Sequence, residues 1–350
     1  VSRLLARDAD ATAHARGASD ALARCVAGLR PEDAVRNILR RKAEREAGQL
    51  KPASQKTALI LQGGAMRGVA SAGAIIALEQ LGFTCAFDAV YGASAGAING
   101  AYFLAGQAAF GTSIYYQDIA NRRFINLWRL RKIVDMDFLF EEIIARRKRL
   151  DLRRVRENPT PLVIVATDAL TGREAVFCSH DEEVDLLTAL KASAALPILY
   201  PHPVRLKDRL YVDGGVVDAI PIERAVRDGC TDLLVVLTVP KTHRAQPPSA
   251  LERALAARWL RSISPDLERA FLKRHEAYNR ALDLALGRRT VPANIVALFL
   301  DAQLPLRRLT TDVHLLKRAA IEMGRLTLWL FTGADHRPLE LLHFLRTSFV

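Results

Sequence analysis

Tyr91-Gly92-Ala93-Ser94-Ala95-Gly96-Ala97 is the stretch whose reading decides the fold. A short apolar run, Phe87 to Val90, leads into it, and small apolar residues, Ala97 to Leu104, lead out. The pattern reads as a strand, a sharp turn and a buried helix. Glycines two before and two after a serine suit such a turn. Ser94 would take a strained backbone conformation at the tip, and side chains at Gly92 or Gly96 would strike the neighbouring chain. The hydroxyl is thereby pushed beyond the strand end, at the positive end of the following helix. Ser94 is a candidate nucleophile. The same letters also spell a Gly- and Ala-rich helix start with an incidental serine, so the motif needs company.

Upstream, the apolar run Thr57 to Leu61 is followed at once by Gln62-Gly63-Gly64-Ala65-Met66-Arg67-Gly68, and Val69 to Leu81 has helical character. Strand, glycine turn and helix form a setting in which backbone N–H groups share a space and bind an anion. Ala65 breaks the Gly-x-Gly-x-x-Gly spacing of a dinucleotide site, and the Gly-Lys-Ser/Thr of a phosphate loop is absent. The reading left beside a plain tight turn is an oxyanion hole, with the amides of Gly63, Gly64 and Ala65 fixed before charge develops. Arg67 is a candidate for a substrate phosphate or for packing, and Gly68 opens the helix.

Downstream, Leu162 to Ala166 and Arg209 to Val212 read as strands, the second ending on Asp213-Gly214-Gly215. An aspartate at a strand end can turn sideways into a cleft, and Gly214 and Gly215 leave room around it. Asp213 is a candidate general base for Ser94. Asp208 and Asp218 are rivals, and neither precedes a Gly-Gly pair. With Leu233 to Val239, the alternation of fully apolar strands and helices predicts a three-layer α/β/α domain on a mainly parallel sheet. Domain limits fall at 1–56 for a helical lead-in packed loosely on the body, 57–246 for the α/β domain, and 247–350 for a mostly helical C-terminal region. One more strand is expected there at Ile295 to Leu300.

These pieces together resemble the patatin-like phospholipases. The glycine loop at 62–68, the Gly92-Ala93-Ser94-Ala95-Gly96 elbow and Asp213-Gly214-Gly215 stand in that family's order. Lys191-Ala192-Ser193-Ala194-Ala195-Leu196-Pro197 and Ala166-Thr167-Asp168 are similar to its supporting stretches. The resemblance spans about Thr57 to Pro240. It implies ester hydrolysis by a Ser-Asp dyad, with Ser94 as nucleophile, Asp213 as base, and no cofactor or metal. Ala65 stands where the family usually has a third glycine, a change tolerated if φ there stays negative. Gln62 replaces an acidic residue often seen there. Aspartate is a weak base in water, with a pKa of about 3.9, so partial burial is expected to raise it.

Two other readings remain open. A Ser-Asp-His triad could recruit His243, His275, His314, His336 or His343, all of which follow Asp213. A lipid- or protein-binding module could keep the fold without turnover. The expected partner is a phospholipid or another acyl ester. The net charge of +12 favours anions. Between Arg122 and Arg156 twelve Arg and Lys face five Asp and Glu, with Phe124, Leu127, Trp128 and Phe138 among them, a composition suited to an anionic membrane surface. The basic lead-in has no interleaved aromatics to stack bases, so no specific nucleic acid is expected. Four scattered cysteines, Cys25, Cys85, Cys178 and Cys230, read as buried free thiols. Without an apolar leader in what is present, a cytoplasmic setting is the default.

Overall fold

The computed structural model describes residues 20–49, 55–129, 132–200 and 202–333. His336, His343 and Arg131 lie outside them, as does the lead-in before residue 20. A nine-stranded sheet comprises β1 (Val26–Leu29), β2 (Thr57–Leu61), β3 (Ala89–Ala93), β4 (Leu162–Asp168), β5 (Glu174–Cys178), β6 (Val204–Leu206), β7 (Arg209–Asp213), β8 (Asp232–Val236) and β9 (Asn294–Leu298). Its order is β1-β9-β8-β2-β3-β4-β7-β6, with β5 also on β4. The five central strands, β9-β8-β2-β3-β4, are parallel. The outer ones pair antiparallel. The expected α/β fold is the one observed, with the parallel part confined to the middle.

Continuous apolar strands follow from burial on both faces. Ala58 and Ile60, Leu233 and Val235, and Ile295 and Ala297 join one core cluster. The alternating residues Leu59 and Leu61, Leu234 and Val236, and Val296 and Leu298 join another. The period of two sends neighbours to opposite faces. Against the first face pack α7 (Ile222–Arg227) and α9 (Pro265–Ala285) through Ile222, Ala225, Tyr278, Ala281 and Leu282. Against the second pack α2 (Gly68–Gln80), α3 (Ala95–Leu104) and α10 (Val313–Thr332). Fully burying a Leu or Ile side chain contributes about 1.5–3 kcal/mol, so this double cover is the main stabilising term.

The flanking regions are less separate than expected. β1, from the presumed loose lead-in, pairs with β9 from the C-terminal region, and both extend the same sheet. Helix α1 (Pro31–Glu46) buries Ala34 and Ile38, and its Arg41 donates to Asp88 at 2.6 Å. Val26-Ala27-Gly28-Leu29 hides its strand character because a Cβ at Gly28 would fall 1.9 Å from the Ile295 carbonyl oxygen. The small residue needed for contact erases the sequence signal. Among the cysteines only Cys230 is buried, and Cys85 is exposed, contrary to expectation. No helix among the described residues is long and apolar enough to cross a membrane.

Candidate active site

β2 and β3 are adjacent and parallel, with Leu61 opposite Gly92, so the glycine loop and the serine turn leave the sheet at the same edge. The crevice beyond the carboxyl ends of parallel strands is where such sheets place ligands. Asp213 reaches this edge by a different route. Val163 to Thr167 of β4 pair with β5 along one side. β3 pairs with β4 as far as Val165, and β7 begins at Ala166, opposite Asp213. Both must therefore use the other side of β4, one taking over where the other stops. Ser94 follows the last residue of β3 and Asp213 is the last of β7, so the handover brings them end to end.

Ser94 has φ 57 and ψ −131, a conformation that L-residues rarely adopt; such strain costs on the order of 1–3 kcal/mol. It persists because the surroundings over-determine it. A Cβ on Gly96 would lie 2.1 Å from the Leu61 carbonyl oxygen, and one on Gly92 would lie 2.5 Å from the Ala97 nitrogen. The Ser94 amide donates to the Ser193 hydroxyl at 2.9 Å. α3 starts at the next residue, directing its positive end toward the Ser94 side chain.

The glycine loop lies directly on this turn. A Cβ on Gly63 would be 2.4 Å from the Ala93 carbonyl oxygen and 3.0 Å from the Ser94 Cβ. The amides of Gly63 and Gly64 have no hydrogen-bond acceptor among the described residues, so they are available to an oxygen placed beside Ser94. Ala65 departs from expectation. Its φ is +52, in the left-handed region, not negative. The loop bends back into a 3-10 turn, Ala65–Arg67, and keeps the backbone path a glycine would take. Gly68 abuts Tyr115 and Ala95, and its carbonyl accepts from Asn99 at 2.9 Å.

Gln62 anchors the loop from behind. Its Oε1 accepts from the Thr238 amide at 2.6 Å and the Thr238 hydroxyl at 3.0 Å, and its Nε2 donates to the Tyr278 hydroxyl. Arg67 is buried, its guanidinium lies where a Cβ on Gly64 would be 3.1 Å from Nε, and that Nε has no partner among the described residues. Burial holds this guanidinium below its usual pKa range, against the opposing pull of Tyr278.

Asp213 is 4% exposed. Its Oδ1 accepts from the Gly215 amide at 2.7 Å, an arrangement that the absence of a side chain at 215 permits. Gly214 packs on Val165 with the same lack of room. Oδ2 has no hydrogen-bond partner among the described residues. Burial pushes the carboxyl up to about 6, against the lowering effects of the Ser94 hydroxyl, the Gly215 amide and Arg308. Ser94 is thus close enough to shift the carboxyl without completing a hydrogen bond, as is common before substrate tightens such a contact. The rival Asp218 is also pushed up, to about 7, by burial and then by Glu174, against the lowering effect of the Ile220 amide.

In the sequence Ser193 stands only as one residue of the supporting stretch 191–197. Its hydroxyl joins the Ser94 amide to the Val165 carbonyl, which it reaches at 2.6 Å. A small polar residue inside an otherwise apolar Ala-rich helix end was the available signal. None of the described histidines hydrogen-bonds to Ser94 or Asp213. His243 is pushed down to about 4 by burial and then by Arg67, Arg308 and Arg244. Beside Ser94 a narrow cleft of about 40 Å³ lies between Ile98, Ile114, Phe124, Met136 and Leu139, and its lining is nearly all apolar.

A buried carboxylate, a serine turn, loop amides without acceptors among the described residues and an apolar cleft thus meet at one edge of the sheet. Residues 59–226 match the family described as patatin-like phospholipase. Among curated proteins, the uncharacterized protein YjjU of Escherichia coli K12 is 27% identical over 53% of this chain and 52% of its own length. The uncharacterized NTE family protein Mb1092c of Mycobacterium bovis is 28% identical over 59% of this chain and 55% of its own length. The probable lipid hydrolase 463L of invertebrate iridescent virus 6 is 26% identical over 51% of this chain and 66% of its own. The chain spans about half the length of the first two relatives.

Proposed function

We propose that the protein is a lipid acyl hydrolase of the phospholipase A or lysophospholipase type, acting through Ser94 and Asp213. The observation that carries this reading is buried Asp213, with an Oδ2 that has no partner among the described residues and a carboxyl that the hydroxyl of strained Ser94 influences, next to the apolar cleft that Ser94 lines. The family match and the lipid hydrolase among the relatives support it.

In this mechanism the Ser94 Oγ attacks the ester carbonyl carbon while Asp213 takes the hydroxyl proton. The oxyanion is held by the amides of Gly63, Gly64 and Ala65 and by the start of α3. As the carbon–oxygen bond to the alcohol breaks, Asp213 returns the proton to the leaving oxygen. Water then adds to the acyl-enzyme, gives its proton to Asp213, and Ser94 is regenerated. The acyl chain is directed toward the apolar cleft beside Ser94, whose walls part to admit it. Peripheral contact with an anionic membrane surface, suited to the basic segment, would supply the substrate.

The test is fluorophosphonate labelling together with hydrolysis of mono- and diacyl phospholipids by wild type, Ser94→Ala and Asp213→Asn. Labelling and turnover should both vanish in Ser94→Ala. Hydrolysis that survives in Ser94→Ala sinks the reading, and a folded wild type that neither labels nor turns over reduces the domain to a binding module. Loss of activity on replacing one histidine, with folding intact, would restore the triad.

A further inference from the structure

Between the two π-helical segments Ile114–Asp118 and Phe138–Arg147, residues 124–126 pair with residues 133–135 to form a neck. Ile125 bridges Val134 in antiparallel fashion. Asp135 donates to the Phe124 carbonyl at 2.9 Å, Asn126 to the Ile133 carbonyl at 2.9 Å, and Val134 to the Leu199 carbonyl at 3.0 Å. Phe124, Ile125 and Val134 are buried. Beyond the neck, the Asn126 Oδ1 accepts from the Trp128 amide at 3.0 Å, which fixes the turn. This device points apolar side chains outward. Trp128 is 90% exposed and Leu127 is 69% exposed, and Trp128 is the most exposed large apolar side chain among the described residues.

We propose that the Leu127–Trp128 apex is the point at which the protein seats on an anionic phospholipid bilayer, a deepening that rests on the lipid hydrolase reading. Three observations converge. An indole has an apolar body and one N–H donor, which favours the boundary between headgroups and acyl chains over water. The charge along the same segment is complementary: between Arg122 and Arg156 the sequence has twelve Arg and Lys against five Asp and Glu, and Arg122 and Arg123 are exposed just before the neck. Basic residues near an anionic leaflet contribute on the order of 1 kcal/mol each. The apex is also continuous with the reaction site, because Phe124 and Val134, the two sides of the neck, line the cleft beside Ser94. A bilayer holding the apex therefore holds one wall of the cleft against the lipid, and an acyl chain can pass between them without crossing water.

The experiment uses the full chain carrying Ser94→Ala, so that vesicles stay intact, with and without the further pair Leu127→Ser and Trp128→Ser. Co-sedimentation is measured with phosphatidylcholine vesicles and with vesicles containing phosphatidylglycerol. The expected result is preferential binding to the anionic vesicles that the pair weakens at least about tenfold, equivalent to about 1.4 kcal/mol. In the catalytic background the same pair should leave turnover of a soluble short-chain ester unchanged while phospholipid turnover on vesicles falls. Equal vesicle binding with and without the pair overturns the proposal, as does equal binding to both vesicle types. A lipid-free dimer abolished by the pair would assign the apex to a second copy instead. Vesicle docking by a chain that hydrolyses no ester would leave the docking intact and remove the catalytic reading.

Discussion

The amide of Ser94 donates to the hydroxyl of Ser193 at 2.9 Å, and that hydroxyl donates to the Val165 carbonyl at 2.6 Å. Two residues later the Ala195 carbonyl accepts from the Asp213 amide at 3.0 Å. One short segment at the end of α6 (Leu186–Ser193) thus holds the backbones of both proposed reacting residues and couples their separation. Ser193→Ala is expected to lower kcat by about 10–100-fold with little change in KM, since small misplacements at a reacting centre carry such costs. Ser193→Thr keeps the hydroxyl and should retain more activity. Steady-state kinetics on a soluble ester, with circular dichroism to confirm folding, provides the check. An unchanged kcat in Ser193→Ala would mean that the turn holds itself.

The raised pKa of Asp213 leads to two pH dependences. A base must be ionised to act, so kcat/KM should rise with pH through an inflection near 6 and then level off. For stability the sign is opposite. The folded carboxyl binds its proton more tightly than the unfolded one, so between about pH 4 and 6 the folded state holds more protons and its stability falls as pH rises. From the ordinary value of 3.8 to about 6, the loss amounts to about 3 kcal/mol. Asp213→Asn cannot titrate and keeps an acceptor for Gly215. It should be inactive yet more stable than wild type above pH 6, with the difference vanishing near pH 4. Urea unfolding at the two pH values measures this, and a less stable Asp213→Asn at pH 7 would contradict it.

The parts that were legible in the sequence are those where one residue type is forced by the backbone. Gly92 and Gly96 around Ser94, and Gly63 against Ala93, mark close approaches that admit no side chain, so the turn could be read from composition. The strands β2, β3, β4 and β8 were legible because burial on both faces makes them continuously apolar. β1 was not, because Gly28 and Ala27 fit a tight pairing with β9 at the expense of any strand signal. The nearness of Ser94 and Asp213 depends on β7 replacing β3 along β4, a relation across 119 residues of sequence (213 − 94) that no local pattern encodes. Composition marks the segment around Trp128 as suited to an anionic membrane surface, but only the structure separates exposed Leu127 and Trp128 from buried Phe124 and Phe138.

Gln62 replaces an acidic residue, and the structure explains how the position works with an amide. A carboxylate could accept from Thr238 but could not donate to Tyr278. Gln62→Leu leaves the buried Thr238 amide without an acceptor, and such an orphan costs about 1–3 kcal/mol. A drop of that size in unfolding free energy is expected, with activity falling as the glycine loop loses its support. Gln62→Glu should be milder, because Thr238 keeps its acceptor and the Tyr278 hydroxyl can reverse to donate. Denaturant midpoints at constant slope would separate the two variants. If the leucine variant is as stable as wild type, Gln62 is not the anchor.

Ala65 is the position where sequence and structure disagree most informatively. Its φ of +52 costs an L-residue roughly 1–2 kcal/mol relative to glycine. Glycine would remove that strain but gives back about 0.4–1 kcal/mol through the greater freedom of the unfolded chain. Ala65→Gly should therefore stabilise the protein by somewhat less than about 1 kcal/mol. Activity should change little, because the Gly63 and Gly64 amides keep their direction. Ala65→Val has the reverse consequences: a β-branched side chain at positive φ is a severe outlier, and Ala65 lines the cleft beside Ser94. It should lower both stability and turnover, and thermal unfolding with single-turnover acylation measured side by side would show it. If glycine destabilises and valine is tolerated, the loop takes a negative φ at this residue, and the proposed orientation of its amides must be redrawn.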